Sequence, residues 1–281
     1  MKRTAADAAT HDPATSNAPA VLTATDLVRS FGKTPALRGV SCAIRPGEIV
    51  AITGPSGSGK STLLLCLAGV LQPDAGSVTF DGRRIDRLTE RERSRLRRTE
   101  FGVLFQFGQL VSELTVGENV ALPLLLSGAR RKAALRTAAD WLDRFGVAEL
   151  ADRHPGELSG GQQQRAAVAR ALVTEPRVLF ADEPTGALDS LAGEQLLTQL
   201  TRVAKENGTA VLIVTHEAQV AAYAQREIAL WDGSVVDDGL TDAPTAGARP
   251  GSRLHADADE PDTVGDPVAT FEDTGSDERE G

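Results

Sequence analysis

The sequence IVAITGPSGSGKSTLLLCLA, residues 49–68, joins an apolar strand to an apolar helix through a glycine-rich loop. The loop meets the pattern G-x-x-x-x-G-K-[ST] with Gly54, Gly59, Lys60 and Ser61. Glycines let successive backbone N–H groups converge on one anion, and the N-terminal end of the following helix adds its positive potential. The stretch therefore predicts a site for a polyphosphate, which indicates a bound nucleotide.

Every residue of the loop is a candidate nucleotide contact. The set is Gly54, Pro55, Ser56, Gly57, Ser58, Gly59, Lys60, Ser61 and Thr62. Lys60 supplies a mobile positive charge for the outer phosphates, and the Ser61 hydroxyl can ligate Mg²⁺. A purely structural glycine turn is the alternative, and the strand before it and the helix after it disfavour that interpretation.

The composition is that of a globular protein without a membrane span. The chain has 281 residues, 41% of them hydrophobic, which suffices for one large domain or two small ones. No run approaches 18 apolar residues, and the N-terminus lacks the apolar segment of a secretory signal. Cys42 and Cys66 lie in apolar contexts, so we expect two buried thiols in a reducing cytoplasm.

The acidity of the chain belongs to its C-terminal segment. The formal net charge is −9, and residues 241–281 contain 11 Asp and Glu against 3 Arg, which leaves residues 1–240 nearly neutral. Residues 1–20 and 240–281 lack hydrophobic periodicity, so we expect both segments to be disordered. The acidic segment is either a solubilising end or a regulatory arm.

Hydrophobic periodicity predicts an α/β domain between these ends. Alternating segments between Val21 and Ile44 predict short antiparallel strands, and the continuous apolar runs 178–181 and 210–214 predict buried parallel strands. The helical patterns cover residues 116–126, 130–145, 160–173 and 191–206.

A basic segment separates the phosphate loop from the predicted helices. Residues 83–98 contain eight arginines against Asp86, Glu90 and Glu92. The segment is either a solvated helix face or a basic surface near an anionic membrane or acidic partner. No nucleic-acid partner is expected, because the chain is acidic and no aromatic residues interleave with the arginines.

Titratable side chains follow two of the buried strands. Asp182 and Glu183 end the strand that begins at Val178, and His216 follows the strand that ends near Thr215. Ligands of parallel α/β sheets bind at the carboxyl ends of the strands. Asp182 can hold Mg²⁺ through water, and Glu183 can orient or deprotonate an attacking water. The alternative is that the two carboxylates cap the next helix.

The segment LSGGQQQR, residues 158–165, predicts a second anion site. Ser159 is a candidate N-cap, and residues 159–161 would present backbone N–H groups at a helix N-terminus. One chain has one phosphate loop, so a second anion-binding helix N-terminus has no evident phosphate to bind within the same chain. It would have a role if it completed the nucleotide site of another copy.

Taken together, these motifs resemble those of the ATP-binding cassette (ABC) ATPases over residues 21–239. The phosphate loop, Asp182-Glu183 and residues 159–162 match the family's phosphate loop, acidic pair and signature loop. Further matches are Gln106 to the glutamine switch, Asp189 to the D-loop, His216 to the switch histidine and Phe31 to the adenine-stacking aromatic. Phe31 replaces the commoner tyrosine, and Glu217 stands where the family usually has Asp.

The resemblance implies a P-loop NTPase core with a parallel sheet, an antiparallel β subdomain and a helical signature subdomain at about residues 107–173. It implies a head-to-tail homodimer with ATP and Mg²⁺ between the copies. The implied catalytic residues are Glu183, His216, Gln106 and Lys60. The implied Mg²⁺ ligands are Ser61, Gln106 and Asp182. The contacts implied across the dimer are Ser159, Gly160, Gly161, Gln162 and Asp189.

Within the family, residues 105–124 resemble the branch that serves lipoprotein release and macrolide efflux. That branch implies ATP hydrolysis for an exporter or mechanotransmission complex with a separate FtsX-like permease, at the cytoplasmic face of the membrane. An importer ATPase is the alternative. A soluble, non-transport ABC ATPase is disfavoured because only about 50 residues separate Gln106 from Ser159. Substrate choice would lie in the permease.

Overall fold

The computed structural model describes residues 19–105 and 110–239. The predictions made for Gln106 and for residues 1–18 and 240–281 lie outside the described residues. The strands within the described ranges are β1 (Leu22–Phe31), β2 (Thr34–Ile44), β3 (Ile49–Thr53), β4 (Ala75–Phe80), β5 (Arg83–Arg84), β6 (Phe101–Leu104), β7 (Val178–Asp182), β8 (Ala210–Val214), β9 (Arg226–Trp231) and β10 (Ser234–Asp237). The helices are α1 (Lys60–Leu67), α2 (Glu90–Thr99), α3 (Val116–Leu126), α4 (Arg131–Arg144), α5 (Gly160–Leu172), α6 (Ser190–Asn207) and α7 (Ala218–Ala221).

The larger sheet carries the phosphate loop. Its strand order is β10-β9-β3-β8-β7-β6, with β9, β3, β8, β7 and β6 parallel and β10 antiparallel at the edge. Strands β3, β7 and β8 are almost completely buried, as their continuous apolar sequences predict. The predicted parallel strands are therefore confirmed.

The smaller sheet is antiparallel and covers α1. Its order is β2-β1-β4-β5, and its inner face shares one hydrophobic core with α1 and one face of the larger sheet. Leu63, Leu64 and Leu67 of α1 are fully buried in that core. An apolar helix of this kind needs protein on all sides, which explains why the sequence after the phosphate loop has no polar face.

Helices α3, α4 and α5 pack on one another and against the opposite face of the larger sheet. Capping boxes begin α2, α3 and α5, where Thr89, Thr115 and Ser159 each accept from the backbone N–H three residues on. Helix α6 ends at Gly208, whose φ of 67° suits the left-handed C-cap. The predicted helices are present within one residue at most ends.

One sequence prediction needs correction, and one helix has no counterpart among the predictions. The alternating segments near Val21 and Phe31 predict short strands, but they form one strand, β1, with an irregular register at Asp26. Asp26 has a φ of 49°, and its backbone N–H donates to Ser41 Oγ at 2.8 Å, so the chain bends without leaving the sheet. The short helix α7 carried no periodic signal, since it is only four residues long.

Candidate functional site

The register of the larger sheet brings three loops to one edge. Ile52 of β3 pairs with Val214 of β8, and Val214 pairs with Asp182 of β7. The phosphate loop, Asp182 and the segment after β8 therefore leave adjacent parallel strands at the same level. This geometry confirms that the sequence motifs assigned to the strand ends meet in space.

The phosphate loop fits its surroundings only with glycine at two positions. Gly54 has a φ of 134°, and a Cβ there would lie 2.0 Å from the Leu230 carbonyl oxygen. Gly59, the N-cap of α1, has a φ of 100°, and a Cβ there would lie 2.3 Å from the Ala36 carbonyl oxygen. Both obstacles are backbone atoms, which cannot move aside as the end of a side chain can.

We expect Gly59→Ala to distort the phosphate loop and to abolish tight nucleotide binding. Its added methyl would clash with β2, and overpacking of this kind costs about 1 to 3 kcal/mol. Gly57→Ala is the matched control, because Gly57 also has a positive φ of 80° but nothing lies within 4 Å of its Cβ position. Calorimetric titration with a nucleotide and thermal unfolding of both variants measure the difference. Equal nucleotide affinity in the two variants would contradict this assignment.

Lys60 is buried against the phosphate loop. Lys60 is only 8% exposed, and its Nζ donates to the carbonyl oxygens of Gly54 and Pro55, each at 2.8 Å. These bonds hold the ammonium group across the mouth of the loop. The charge therefore lies where the outer phosphates of a nucleotide would meet it.

Ser61 and Asp182 form the candidate metal site. Ser61 Oγ donates to Asp182 Oδ1 at 3.2 Å, and burial raises the pKa of Asp182 above its ordinary value while the Ser61 hydroxyl opposes that rise. A hydroxyl and a half-buried carboxylate are the hard oxygen donors that Mg²⁺ prefers, with water and phosphate oxygens completing its coordination. The residues present therefore fit a magnesium ion.

Glu183 occupies a strained and buried position beside the metal site. Its φ of 47° lies in the left-handed region, which non-glycine residues rarely adopt, and it is only 9% exposed. Glu183 Oε1 lies 2.7 Å from His216 Nδ1, and Thr215 Oγ1 donates to Oε2 at 3.4 Å. Strain of this kind persists only where the surroundings impose it, and it marks functional sites.

His216 should titrate above its ordinary range. The hydrogen bond that the Glu183 carboxylate accepts, together with its negative charge, raises the pKa of His216 above 6.5. Because the folded-state pKa is the higher one, the pair contributes stability below pH 6.5 and loses it as the pH rises through the raised value. We expect an NMR titration to give a lower pKa for His216 in Glu183→Gln than in the wild type. An unchanged pKa would show that the pair does not form.

The loop, the acidic pair and His216 line one open cleft of about 710 Å³. The residues of the cleft are Pro55, Ser56, Gly57, Gly59, Lys60, Ser61, Thr62, Asp182, Glu183, Val214 and His216. The structure therefore brings together most of the predicted phosphate, metal and catalytic residues. Phe31 is not in this lining; it ends β1, is 51% exposed, and has the Arg29 guanidinium 5.2 Å from its ring centre.

The predicted second anion site lies outside the lining of this cleft. Ser159 caps α5, and residues 159 and 160 are exposed, so the N-terminal N–H groups of the helix face outward. Asp189 caps α6 by accepting from the Ala192 N–H at 2.8 Å, and it too is exposed. Ser159, Gly160 and Asp189 are therefore accessible to a second molecule.

Sequence reasoning missed two residues that support the site. Gln164 is 1% exposed on α5, and its Nε2 donates to the Pro184 carbonyl oxygen at 2.7 Å, directly after Glu183. Thr215 is fully buried, and its hydroxyl contacts Glu183 and accepts from the Glu217 N–H at 3.0 Å. Gln164 could have been found as the one polar residue on the buried face of a helix otherwise lined by alanines.

Comparison with known proteins finds ATP-binding cassettes and the ATP-binding proteins of transporters. The family model described as ABC transporter matches residues 37–186. The lipoprotein-releasing system ATP-binding protein LolD of Bacteroides fragilis is 41% identical over 75% of this chain and 97% of its own length. The methionine import ATP-binding protein MetN of Mesorhizobium japonicum is 44% identical over 76% of this chain. A dimeric ATP-binding cassette, MJ0796, solved in a post-hydrolysis state with ADP and phosphate, is 36% identical with a TM-score of 0.73 over 77% of this chain and 97% of its own.

Coverage differs among these relatives. The chain spans 59% of the length of MetN and 35% of the macrolide export ATP-binding/permease protein MacB of Marinobacter nauticus, which is 42% identical over 79% of this chain. In contrast, it spans nearly all of LolD and of the solved cassette. The family match covers more than half of the chain, and the fold and the cleft agree with it. The chain therefore belongs to the ABC transporter family and has its P-loop fold.

Proposed function

We propose that this chain is the ATPase subunit of a membrane transporter, in which two copies close on ATP and move a separate permease. The observation that carries the proposal is the separation of the two anion sites. Lys60 lies in the cleft, whereas the Ser159 loop is exposed and outside its lining. The solved relative MJ0796 is dimeric, which supports pairing the Ser159 loop of one copy with the cleft of another.

In the proposed dimer, the cleft holds the triphosphate. Lys60 and the loop N–H groups bind the outer phosphates, and Phe31 offers an exposed ring face for adenine. Residues 159–162 and Asp189 of the second copy approach from the open side. The γ-phosphate would then lie between Lys60 and a helix N-terminus, two sources of positive potential.

Ser61 and Asp182 are the described residues that would hold Mg²⁺, and Gln106 is a further proposed ligand. When bound, Mg²⁺ would neutralise developing charge on the phosphate oxygens. Burial raises the pKa of Asp182, and the neighbouring Glu183 carboxylate raises it further, so the charged form of Asp182 gains from a nearby cation.

Glu183 is the proposed general base. One of its oxygens faces His216 and the other faces Thr215, so the carboxylate is held from both sides. It can accept a proton from a water molecule that attacks the γ-phosphate, while His216 contacts the γ-phosphate and ADP departs as the leaving group. The proposed catalytic residues also include Lys60, which would bind the outer phosphates, and Gln106, which would bind Mg²⁺.

A groove beside the Gln106 segment is the proposed docking place for the permease. It measures about 460 Å³, and its lining includes Val70, Phe105, Leu122, Pro123 and Leu126. Leu126 is 60% exposed and Val70 is 39% exposed, so the groove presents neighbouring apolar side chains to solvent. The groove lies between the larger sheet and the helices, where nucleotide-driven movement would be transmitted.

Buried Asn119 holds the chain that follows the Gln106 segment. Its amide donates to the carbonyl oxygens of Val111, Leu114 and Thr115, and it accepts from the Val111 N–H at 2.7 Å. One side chain thus fixes the loop that enters α3. This rigidity favours transmission of movement from the cleft to the groove.

The relatives support the branch that serves lipoprotein release and macrolide export. The LolD proteins match over nearly their whole length, as expected for a separate ATPase subunit. The similarity to MetN supports the importer alternative, but the match covers only 59% of the length of MetN. No helix in residues 19–105 and 110–239 is long and apolar enough to cross a bilayer. We therefore propose a peripheral subunit at the cytoplasmic face, bound through an FtsX-like permease in an exporter or mechanotransmission complex.

We also propose the division of the chain that its sequence predicts. Residues 21–239 would form the ATPase domain, with a helical signature subdomain at about residues 107–173. The mutual packing of α3, α4 and α5 supports this subdomain.

Substitution of Leu126 tests the docking groove and, with it, the transporter assignment. We expect Leu126→Glu to abolish copurification with the permease in mild detergent, because a charge would enter an apolar contact. Basal ATP hydrolysis should stay near the wild-type rate. Val236→Glu is the control, because Val236 is equally exposed, at 65%, on β10. A large importer permease, or no membrane protein, in the wild-type purification would contradict the proposed branch.

A further inference from the structure

The eight arginines of residues 83–98 divide into two groups. Arg83, Arg84, Arg93 and Arg97 form ion pairs with Glu92, Asp86, Glu90 and Glu90, respectively. Among the residues that the structure describes, Arg87, Arg91, Arg95 and Arg98 have no ion pair and no side-chain hydrogen bond. The basic segment is therefore not uniform, and only part of it maintains the fold.

Helix α2 separates the two groups onto different sides. Arg93 and Arg97 face the body of the protein, where they donate to the carbonyl oxygens of Leu88 and Gly69, and both pair with the exposed Glu90. Arg91, Arg95 and Arg98 follow the spacing i, i+4, i+7 and form one row, here named the arginine stripe. Arg91 and Arg95 are exposed, and Arg98 is partly buried where it lines the proposed docking groove.

Only Arg98 of the arginine stripe favours the helix that carries it, because it lies in the last turn near the negative end of the helix dipole. Like charges at i, i+4 repel one another, and the acidic residues of α2 are already engaged by other groups. Glu90 pairs with Arg93 and Arg97, and Glu92 pairs with Arg83 and with the Thr89 cap. An unpaired row of exposed guanidinium groups is therefore available to an external anion.

We propose that the arginine stripe contacts the anionic lipid headgroups of the membrane that holds the permease. This inference rests on the proposed function, because the groove that would receive the permease is continuous with the stripe at Arg98. Guanidinium groups bind phosphate through paired hydrogen bonds, and basic residues near an anionic surface increase membrane binding. The stripe would orient the subunit against the bilayer beside its permease.

Vesicle sedimentation of the full-length protein tests the proposal. The probes are phosphatidylcholine vesicles with and without about one third phosphatidylglycerol, at low salt. We expect binding only to the anionic vesicles. Each basic residue contributes roughly fivefold, so Arg91→Gln with Arg95→Gln should lower binding by roughly 25-fold.

A matched pair on another helix is the control. Lys132 and Arg136 are also exposed at i, i+4, on α4, and replacing both by Gln removes the same charge. We expect less than a roughly twofold change in vesicle binding. Equal losses in the two double variants, no loss in the α2 variant, or no wild-type binding to anionic vesicles would overturn the proposal. ATP hydrolysis, measured in parallel, should be unchanged in both variants; its absence from the wild type would contradict the proposed function instead.

Discussion

Glu183→Gln should lower the rate of ATP turnover by roughly 10²- to 10⁴-fold, the contribution of one positioned base. The amide keeps the shape of the carboxylate but cannot accept the proton of the attacking water. Because Lys60 and the loop N–H groups are untouched, ATP affinity should be retained. Phosphate release at saturating ATP measures the rate, and equilibrium dialysis with labelled ATP measures binding.

Glu217→Gln is the control for this experiment. Glu217 follows His216 and undergoes the same chemical change, but it lies outside the lining of the cleft, and its backbone N–H donates to Thr215 Oγ1 at 3.0 Å. It should hydrolyse ATP near the wild-type rate. If Glu183→Gln does so as well, the assignment of Glu183 as the base fails.

Arg226→Met should lower the free energy of unfolding by about 3 kcal/mol, since the buried Glu48 carboxylate then keeps only a 4.0 Å ion pair with Arg45. Arg226 Nε donates to Glu48 Oε1 at 2.8 Å, and the two side chains are only 6% and 10% exposed. The other guanidinium nitrogens donate to the carbonyl oxygens of Asp238 and Ala43. The side chain thus ties β9 to the end of β2 and to the chain after β10.

Two further variants separate the buried charge from the loss of a large side chain. Arg226→Met combined with Glu48→Leu should recover much of the stability, because neither charge is then stranded. Arg38→Met removes an exposed pair with Asp232 and should cost no more than about 1 kcal/mol. Urea unfolding of the three variants gives the comparison. A loss in the double variant as large as in Arg226→Met would contradict the stranded-charge explanation.

The sequence predicted the parallel strands and the positions of their ligand ends well. Continuous apolar runs such as 178–181 and 210–214 have few other possible structures, and parallel pairing brings their carboxyl ends to one edge. The meeting of Asp182 with Ser61, 121 positions apart, follows from that topology. The N-cap at Ser159 was predicted from the chemistry of its side chain.

Other features depend on contacts that no local pattern encodes. The positive φ of Glu183 and its contact with His216 arise because two loops must fit together above adjacent strands. The division of the arginines likewise follows from which side of α2 meets the body, and their spacing alone left it undecided. The capping boxes at Thr89 and Thr115 could have been predicted from sequence, since each threonine is followed three residues later by Glu.

The claim that ATP is held between two copies is tested most directly by sedimentation of Glu183→Gln, with and without ATP and Mg²⁺. We expect Glu183→Gln to sediment as a monomer without ATP and as a dimer with ATP and Mg²⁺. Gly160→Asp in the same background should remain monomeric with ATP, because a carboxylate would face the γ-phosphate from the second copy. A Cβ at Gly160 makes only an ordinary 3.5 Å contact, and an acidic residue suits a helix N-terminus, so the fold should be unharmed.

Gly160→Ala, which adds a methyl group without charge, is the matched control and should still dimerise with ATP. Dimers of Glu183→Gln that form only with ATP and disappear with Gly160→Asp are the predicted result. Monomers of Glu183→Gln at saturating ATP, or equal dimerisation of the Gly160→Asp and Gly160→Ala variants, would contradict the shared site.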